Sequence, residues 1–92
     1  MEFTDKAVKC GTEKKGDVQV TLELTGTGRE IEIHSKVEKK FGAAIRASVE
    51  EMLDLHKVAA AKVLIEDLGA LDFAVKARTE TAVKRALAKE EK

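Results

Sequence analysis

The chain has 92 residues, with 17 basic and 17 acidic side chains, three phenylalanines, no tyrosine or tryptophan, and one cysteine. That is the size of one domain around a thin aliphatic core. Zero net charge excludes the electrostatic footprint of a nucleic-acid binder. The lone Cys10 excludes an internal disulfide and a cysteine-based metal cluster. No apolar run is long enough to span a bilayer or has the pattern of a secretory leader, so a cytoplasmic, membrane-free protein is expected.

The expected domain is 1–92, with 1–6 and 90–92 loosely ordered. Ala7 to Cys10 reads as a short strand with Val8 and Cys10 on one face. A polar loop follows from Gly11 to Gly16, and then Val18, Val20, Leu22 and Leu24 alternate with Gln19, Thr21 and Glu23. Two extended runs around a glycine-containing loop predict a β-hairpin. Thr25-Gly26-Thr27-Gly28 breaks the alternation, and Glu30 to His34 resumes it as a third strand with Ile31 and Ile33 inward.

Ser35-Lys36-Val37-Glu38 has the form of a capping box, and the helix it opens should run from about Lys36 to about His56. Its apolar stripe is Val37, Phe41, Ala44, Ile45, Val49, Met52 and Leu53. Ala61, Val63 and Ile65 alternate with Lys62, Leu64 and Glu66, which predicts a fourth strand. Asp67-Leu68-Gly69-Ala70 is a tight-turn candidate. Leu71, Phe73 and Val75 then alternate with Asp72, Ala74 and Lys76; the same residues could open a helix, but the alternation favours a fifth strand over 71–76. A helix from about Ala77 to Lys89 closes the chain. The expected fold is α+β, in the order βββ-α-ββ-α, with a mostly antiparallel sheet and two helices on one face.

No constellation of catalytic side chains stands out. Cys10 has no neighbouring histidine and reads as a small core residue. His34 and His56 share no ligand spacing, so a metal site is not expected. Asp67 and Asp72 could be a carboxylate pair, but without a nearby nucleophile they read as turn and cap residues.

The run Gly11-Thr12, four residues, then Asp17-Val18 resembles the acyl carrier (gamma) subunit family of citrate lyase, as do Val37 to Arg46 and Asp67 to Asp72, with Ala77-Arg78 just beyond. The resemblance runs from about Ala7 to about Ala88. It implies a non-catalytic carrier subunit. In that family a serine of the hairpin loop is joined by a phosphodiester to phosphoribosyl-dephospho-coenzyme A. The thiol of that group carries acetyl and then citryl between an acyltransferase (alpha) subunit and a lyase (beta) subunit, after loading by a prosthetic-group transferase. A covalent arm makes each encounter intramolecular and raises the effective concentration of the thioester.

Aligned without gaps, the serine position is held by Lys15, which has no hydroxyl. Three accounts stay open: an engineered replacement, a natural relative that has lost the group or attaches it differently, or use of Thr12, the one hydroxyl in the loop. Lys14 and Lys15 could also be plain solvated turn residues. Arg46 and Arg78 match family positions and could grip a phosphate; surface pairing with glutamates is the plainer alternative. The competing function is a structural interaction module, descended from such carriers, that carries nothing.

Overall fold

The computed structural model describes residues 2–35 and 38–90, with side chains described for 2–35 and 42–89. The elements are β1 (Val8–Gly11), β2 (Val18–Leu24), β3 (Arg29–Ser35), α1 (Glu38–Leu55), β4 (Ala61–Asp67) and α2 (Asp72–Glu90). The sheet order is β1-β2-β4-β3. β1 with β2 and β2 with β4 are antiparallel, whereas β3 and β4 are parallel and joined through α1.

Period-2 patterning places the core. Val18, Val20, Leu22, Ala61, Val63, Ile65 and Ile33 are buried on the face that α1 and α2 cover, together with Ile45, Val49 and Leu53 of α1 and Val75, Ala82, Val83 and Ala86 of α2. Truncating a fully buried leucine such as Leu22 or Leu53 to alanine should cost roughly 2–5 kcal/mol. The Val37 and Phe41 part of the expected α1 stripe lies outside the described side chains, as does the Glu38 half of the capping box. The opposite face of the sheet is polar and is crossed by the N-terminal segment. There Thr4 donates from its N–H (2.6 Å) and hydroxyl (3.0 Å) to the buried Glu23 carboxylate, and Lys62 Nζ donates to the Glu2 carbonyl. The Thr4 N–H is the largest of the causes that hold Glu23 below the usual glutamate pKa.

The fifth strand expected over 71–76 does not form. α2 begins at Asp72, and the order is βββ-α-β-α. The alternation that suggested a strand belongs to side chains outside the core: Leu71 and Phe73 are 65% and 69% exposed. The residues that are buried from here on, Val75, Thr79, Ala82, Val83 and Ala86, recur at helical spacing. Asp67 to Ala70 is still a tight connection, but it joins a strand to a helix. Asp67 Oδ1 accepts from the N–H groups of Gly69 (3.2 Å) and Ala70 (2.9 Å), and Gly69 sits at φ +95°.

Both helices start at the end of the sheet where the β1–β2 loop lies, because Val18 pairs with Asp67 and Asp67 with Ser35. The loop therefore shares its end of the molecule with the β4–α2 connection and with two helix N-termini.

Candidate functional site

The loop between β1 and β2 is short, charged and tightly held. Asp17 N–H donates to the Lys14 carbonyl at 3.0 Å, which closes a β-turn over residues 14–17. Lys15 occupies the first corner and Gly16, at φ +87°, the second; a positive φ there is the mark of a type II turn and explains the glycine. The turn is laced to the β4–α2 connection on both sides. Gly16 N–H donates to the Leu68 carbonyl at 2.6 Å, and Leu68 N–H donates to the Asp17 carbonyl at 3.0 Å.

Asp17 is the hub. Its Oδ2 accepts from the Thr12 hydroxyl at 2.6 Å and from Arg78 Nη2 at 3.1 Å. Its Oδ1 accepts from Val18 N–H at 2.7 Å and, more weakly, from Arg78 Nε at 3.4 Å. The Thr12 hydroxyl and then the Val18 N–H, with lesser help from Arg78, hold the carboxyl at a pKa of about 2 against the opposing effect of burial. Asp17 in turn pushes Arg78 further up. The Thr12 oxygen also accepts from Lys14 N–H at 3.3 Å, so this hydroxyl is engaged as donor and acceptor.

Lys15 is exposed at the tip. Among the described residues its Nζ has no hydrogen-bond or ion-pair partner, and neither has that of Lys14. Lys62, Lys76, Lys84 and Lys89, by contrast, spend theirs on Glu2, Glu51, Glu80 and Asp5.

The two arginines singled out in the sequence are not brought together. Arg78 lies under the loop. Arg46 donates to the Ile31 carbonyl at 3.0 Å on the outer strand β3, at the other side of the sheet from β1 and β2. Cys10 is buried on the core face of β1. His34 pairs with Glu32 at 3.0 Å and His56 with Glu80 at 3.1 Å, and no group of three or more potential metal ligands occurs among the described residues. Asp67 is buried and accepts from the Ser35 hydroxyl at 2.8 Å, while Asp72 accepts from Ser48 and lies 3.6 Å from Lys76. Both aspartates hold chain segments in place.

Sequence reasoning missed two features. The first is the Asp17–Arg78 pair, which spans 61 positions. The hydroxyl and carboxylate at the two ends of the loop were a local signal for Asp17, but nothing in the sequence pointed to Arg78 as the partner. The second is a mostly apolar cleft of about 440 Å³ beside the loop, between α1 and α2, lined by Ala44, Ile45, Ala70, Leu71 and Val75, with Asp67, Gly69 and Asp72 at its edge. It opens where the expected fifth strand gave way to helix.

A family model described as the malonate decarboxylase delta subunit (MdcD) matches residues 5–86. The citrate lyase acyl carrier protein of Treponema denticola is 43% identical over 86 residues, 94% of this chain and 97% of the relative. That of Haemophilus influenzae is 44% identical over 94% of this chain and 88% of the relative. The chain belongs to the citrate lyase acyl carrier family. Latilactobacillus sakei has a further relative of the same name, 43% identical over 89% of this chain and 81% of the relative. The fold is also that of a chain in the crystal structure of a Pseudomonas malonate decarboxylase hetero-tetramer in complex with malonate. The TM-score is 0.69 at 23% identity, covering 87% of this chain and 82% of that one. Family membership agrees with the resemblance carried by the loop, by Val37 to Arg46 and by Asp67 to Asp72. The relatives that place the chain in this family are named as acyl carrier proteins.

Proposed function

We propose that this chain is the non-catalytic carrier subunit of a citrate lyase-type complex, a cytoplasmic assembly in which the 11–17 loop presents a carried acyl group to acyltransferase (alpha) and lyase (beta) subunits. The observation that carries this reading is the loop itself. Its backbone is fixed by bonds to Leu68 and its carboxylate hub is fixed by Arg78, while the corner residue is left in solvent. A fixed base with an exposed corner side chain suits a tether that visits two sites. Arg78 serves the loop from within, which argues against its use as a phosphate contact. Arg46, with one donor on the β3 edge, stands apart from the loop.

The loop residues do not fit phosphoribosyl-dephospho-coenzyme A, the group that the family resemblance implies. A phosphodiester needs a free hydroxyl at the corner. Lys15 has none, and the Thr12 hydroxyl is half-buried and committed to Asp17. This favours, as the second reading, an interaction module that carries nothing.

One experiment separates the two readings. Lys15→Ser restores a hydroxyl at the corner. Incubated with the family's prosthetic-group transferase and its coenzyme-A-derived donor, the serine variant should gain the mass of the group while the Lys15 chain should not. A folded serine variant that is never loaded, together with a native chain that bears no group, would remove the carrier reading in favour of the interaction module.

A further inference from the structure

We infer that Lys15 is a covalent attachment site of a different kind: its Nζ bears a carboxylic acid-derived arm through an amide bond. This rests on the carrier reading of the loop and gives the chemistry its corner residue can support. The tip of the loop offers one type of nucleophile that can hold an acyl group stably in water. The Thr12 hydroxyl gives its proton to Asp17 at 2.6 Å and its oxygen to Lys14 N–H, and Asp17 is itself saturated by Thr12, Val18 and Arg78. Glu13 offers only a carboxylate, whose acyl derivative is an anhydride that water hydrolyses, so the lysine amines are what remain for a stable acyl link. Lys15 differs from Lys14 by its place at the first corner of the turn, next to Gly16, whose N–H is fixed on Leu68. Its base is rigid and its side chain is in water.

The solvent exposure also selects the bond. An imine at this position would have no apolar wall to exclude water and would hydrolyse. An amide survives in water and needs no surrounding pocket. The step requires an activated acid, and an acyl adenylate supplied by an ATP-dependent ligase is the co-reactant class. The Lys15 ammonium releases a proton to solvent, and the freed lone pair attacks the acyl carbon. The C–N bond forms, the acyl–phosphate C–O bond breaks, adenosine monophosphate leaves, and the second nitrogen proton goes to solvent. No electrons are exchanged. The four-carbon side chain then adds its own length to the arm, and the tether keeps the arm's reactive end at high local concentration for partner subunits.

The test is intact-mass spectrometry of the full chain purified from the cells that produce it, followed by fragmentation. The expected result is an increment larger than an acetyl group, located on Lys15. It should resist mild alkali, which eliminates phosphodiesters of serine and threonine. It should be absent from Lys15→Arg and retained in Lys14→Arg produced in the same cells. A chain at its unmodified mass, a simple acetyl increment, an alkali-labile increment, or an increment on another residue would each overturn the inference. The two readings fail separately. If the native chain is bare but Lys15→Ser accepts the coenzyme-A-derived group, the carrier reading stands and the amide falls. If the native chain carries an alkali-stable group on Lys15 while Lys15→Ser is never loaded, the amide stands and the transferase-based reading falls.

Discussion

Two glycine-containing loops flank β2, one at each end, and they are built on opposite plans. The 11–17 loop is dense with charge, yet its backbone is bound to Leu68 on both sides and its Asp17 carboxylate accepts from three partners. The 25–28 loop passes the start of β4 to reach β3 and is held more lightly. Thr25 N–H reaches the Ala60 carbonyl at 3.4 Å, Ala61 N–H reaches the Gly28 carbonyl at 3.1 Å, and the Thr25 hydroxyl reaches Gly28 at 3.5 Å. Charge in a loop is commonly read as a sign of solvation and slack. Here the charged loop is the more constrained one, because its backbone is spent on Leu68 and its Asp17 carboxylate on Thr12, Val18 and Arg78, while the side chains of Glu13, Lys14 and Lys15 are left to solvent.

The glycines sharpen this contrast most strongly. Gly11 closes β1 at φ +97°, and a Cβ there would stand 1.9 Å from the Val18 carbonyl oxygen, inside the β1–β2 pairing. Gly11→Ala should destabilise the protein by roughly 2–6 kcal/mol, combining about 1–3 for a side chain at positive φ with about 1–3 for overpacking. Gly28, at φ +70° in open space, should cost about 1 kcal/mol as alanine. Gly26, open and without positive φ, should stay within about 0.5 kcal/mol. Denaturant melts of the three variants check the order. A Gly11→Ala protein as stable as Gly26→Ala would break the comparison.

Acid should separate the loops next. The Asp17 carboxyl titrates at about 2 in the folded chain, against an ordinary 3.8. A depressed folded pKa gives stability that is complete above the unfolded value and is lost as pH falls through the folded one. The stability advantage of the parent over Asp17→Asn should therefore be constant above about pH 5 and shrink between about pH 4 and pH 2. Glu23 and Glu32 are also held low, but they are common to both proteins and cancel in the difference. Melts of both proteins at a series of pH values supply the measurement. An advantage unchanged down to pH 2 would mean that the Asp17 contacts do not favour its charged form.

How legible this was depended on distance along the chain. β2, β3, β4 and the body of α1 were readable because period 2 and period 3.6 sort their own residues. The start of α2 was not, because Leu71 and Phe73 are apolar yet exposed, so they counterfeited a buried strand face; only Val75 in that stretch reaches the core. The insertion of β4 between β2 and β3 was equally hidden, since strand order depends on pairings that no local pattern encodes. At the site, the Gly11 and Gly16 brackets and the exposed Lys15 were visible in the sequence. The lacing to Leu68 and the Arg78 partner were not, because each joins segments more than fifty residues apart.

The far end carries a strain that the 11–17 loop avoids. α1 ends in a Schellman pattern, with Val58 N–H on the Leu53 carbonyl at 2.8 Å and Lys57 N–H on the Asp54 carbonyl at 3.0 Å. That pattern needs a left-handed residue, and Lys57 supplies it at φ 58° where the 11–17 loop uses glycine. Lys57→Gly relieves about 1–2 kcal/mol of left-handed strain and returns about 0.5–1 through the freer unfolded chain. A net gain of roughly 0–1.5 kcal/mol should appear in a denaturant melt, and a loss would mean that Lys57 is held there by a contact of its side chain.

The smallest effect is expected at the residue on which the function turns. Lys15 is exposed, occupies a corner where φ is negative for any residue, and among the described residues its amine touches no partner. The bonds that hold the loop run through the backbone of Lys14, Gly16 and Asp17 and through the side chains of Thr12, Asp17 and Arg78. None of them uses the Lys15 side chain, so Lys15→Ser should change stability by no more than about 0.5 kcal/mol, as for an ordinary surface position. Asp17→Asn, two positions away, removes a negative charge that Thr12, Val18 and Arg78 all stabilise, and it should lower the melting midpoint visibly at neutral pH. Melting the two variants side by side tests whether the loop divides into a structural hub and a free corner. If Lys15→Ser lowers the midpoint as much as Asp17→Asn, the corner is part of the scaffold, and any loading experiment on the serine variant would then have to be read against a disturbed loop.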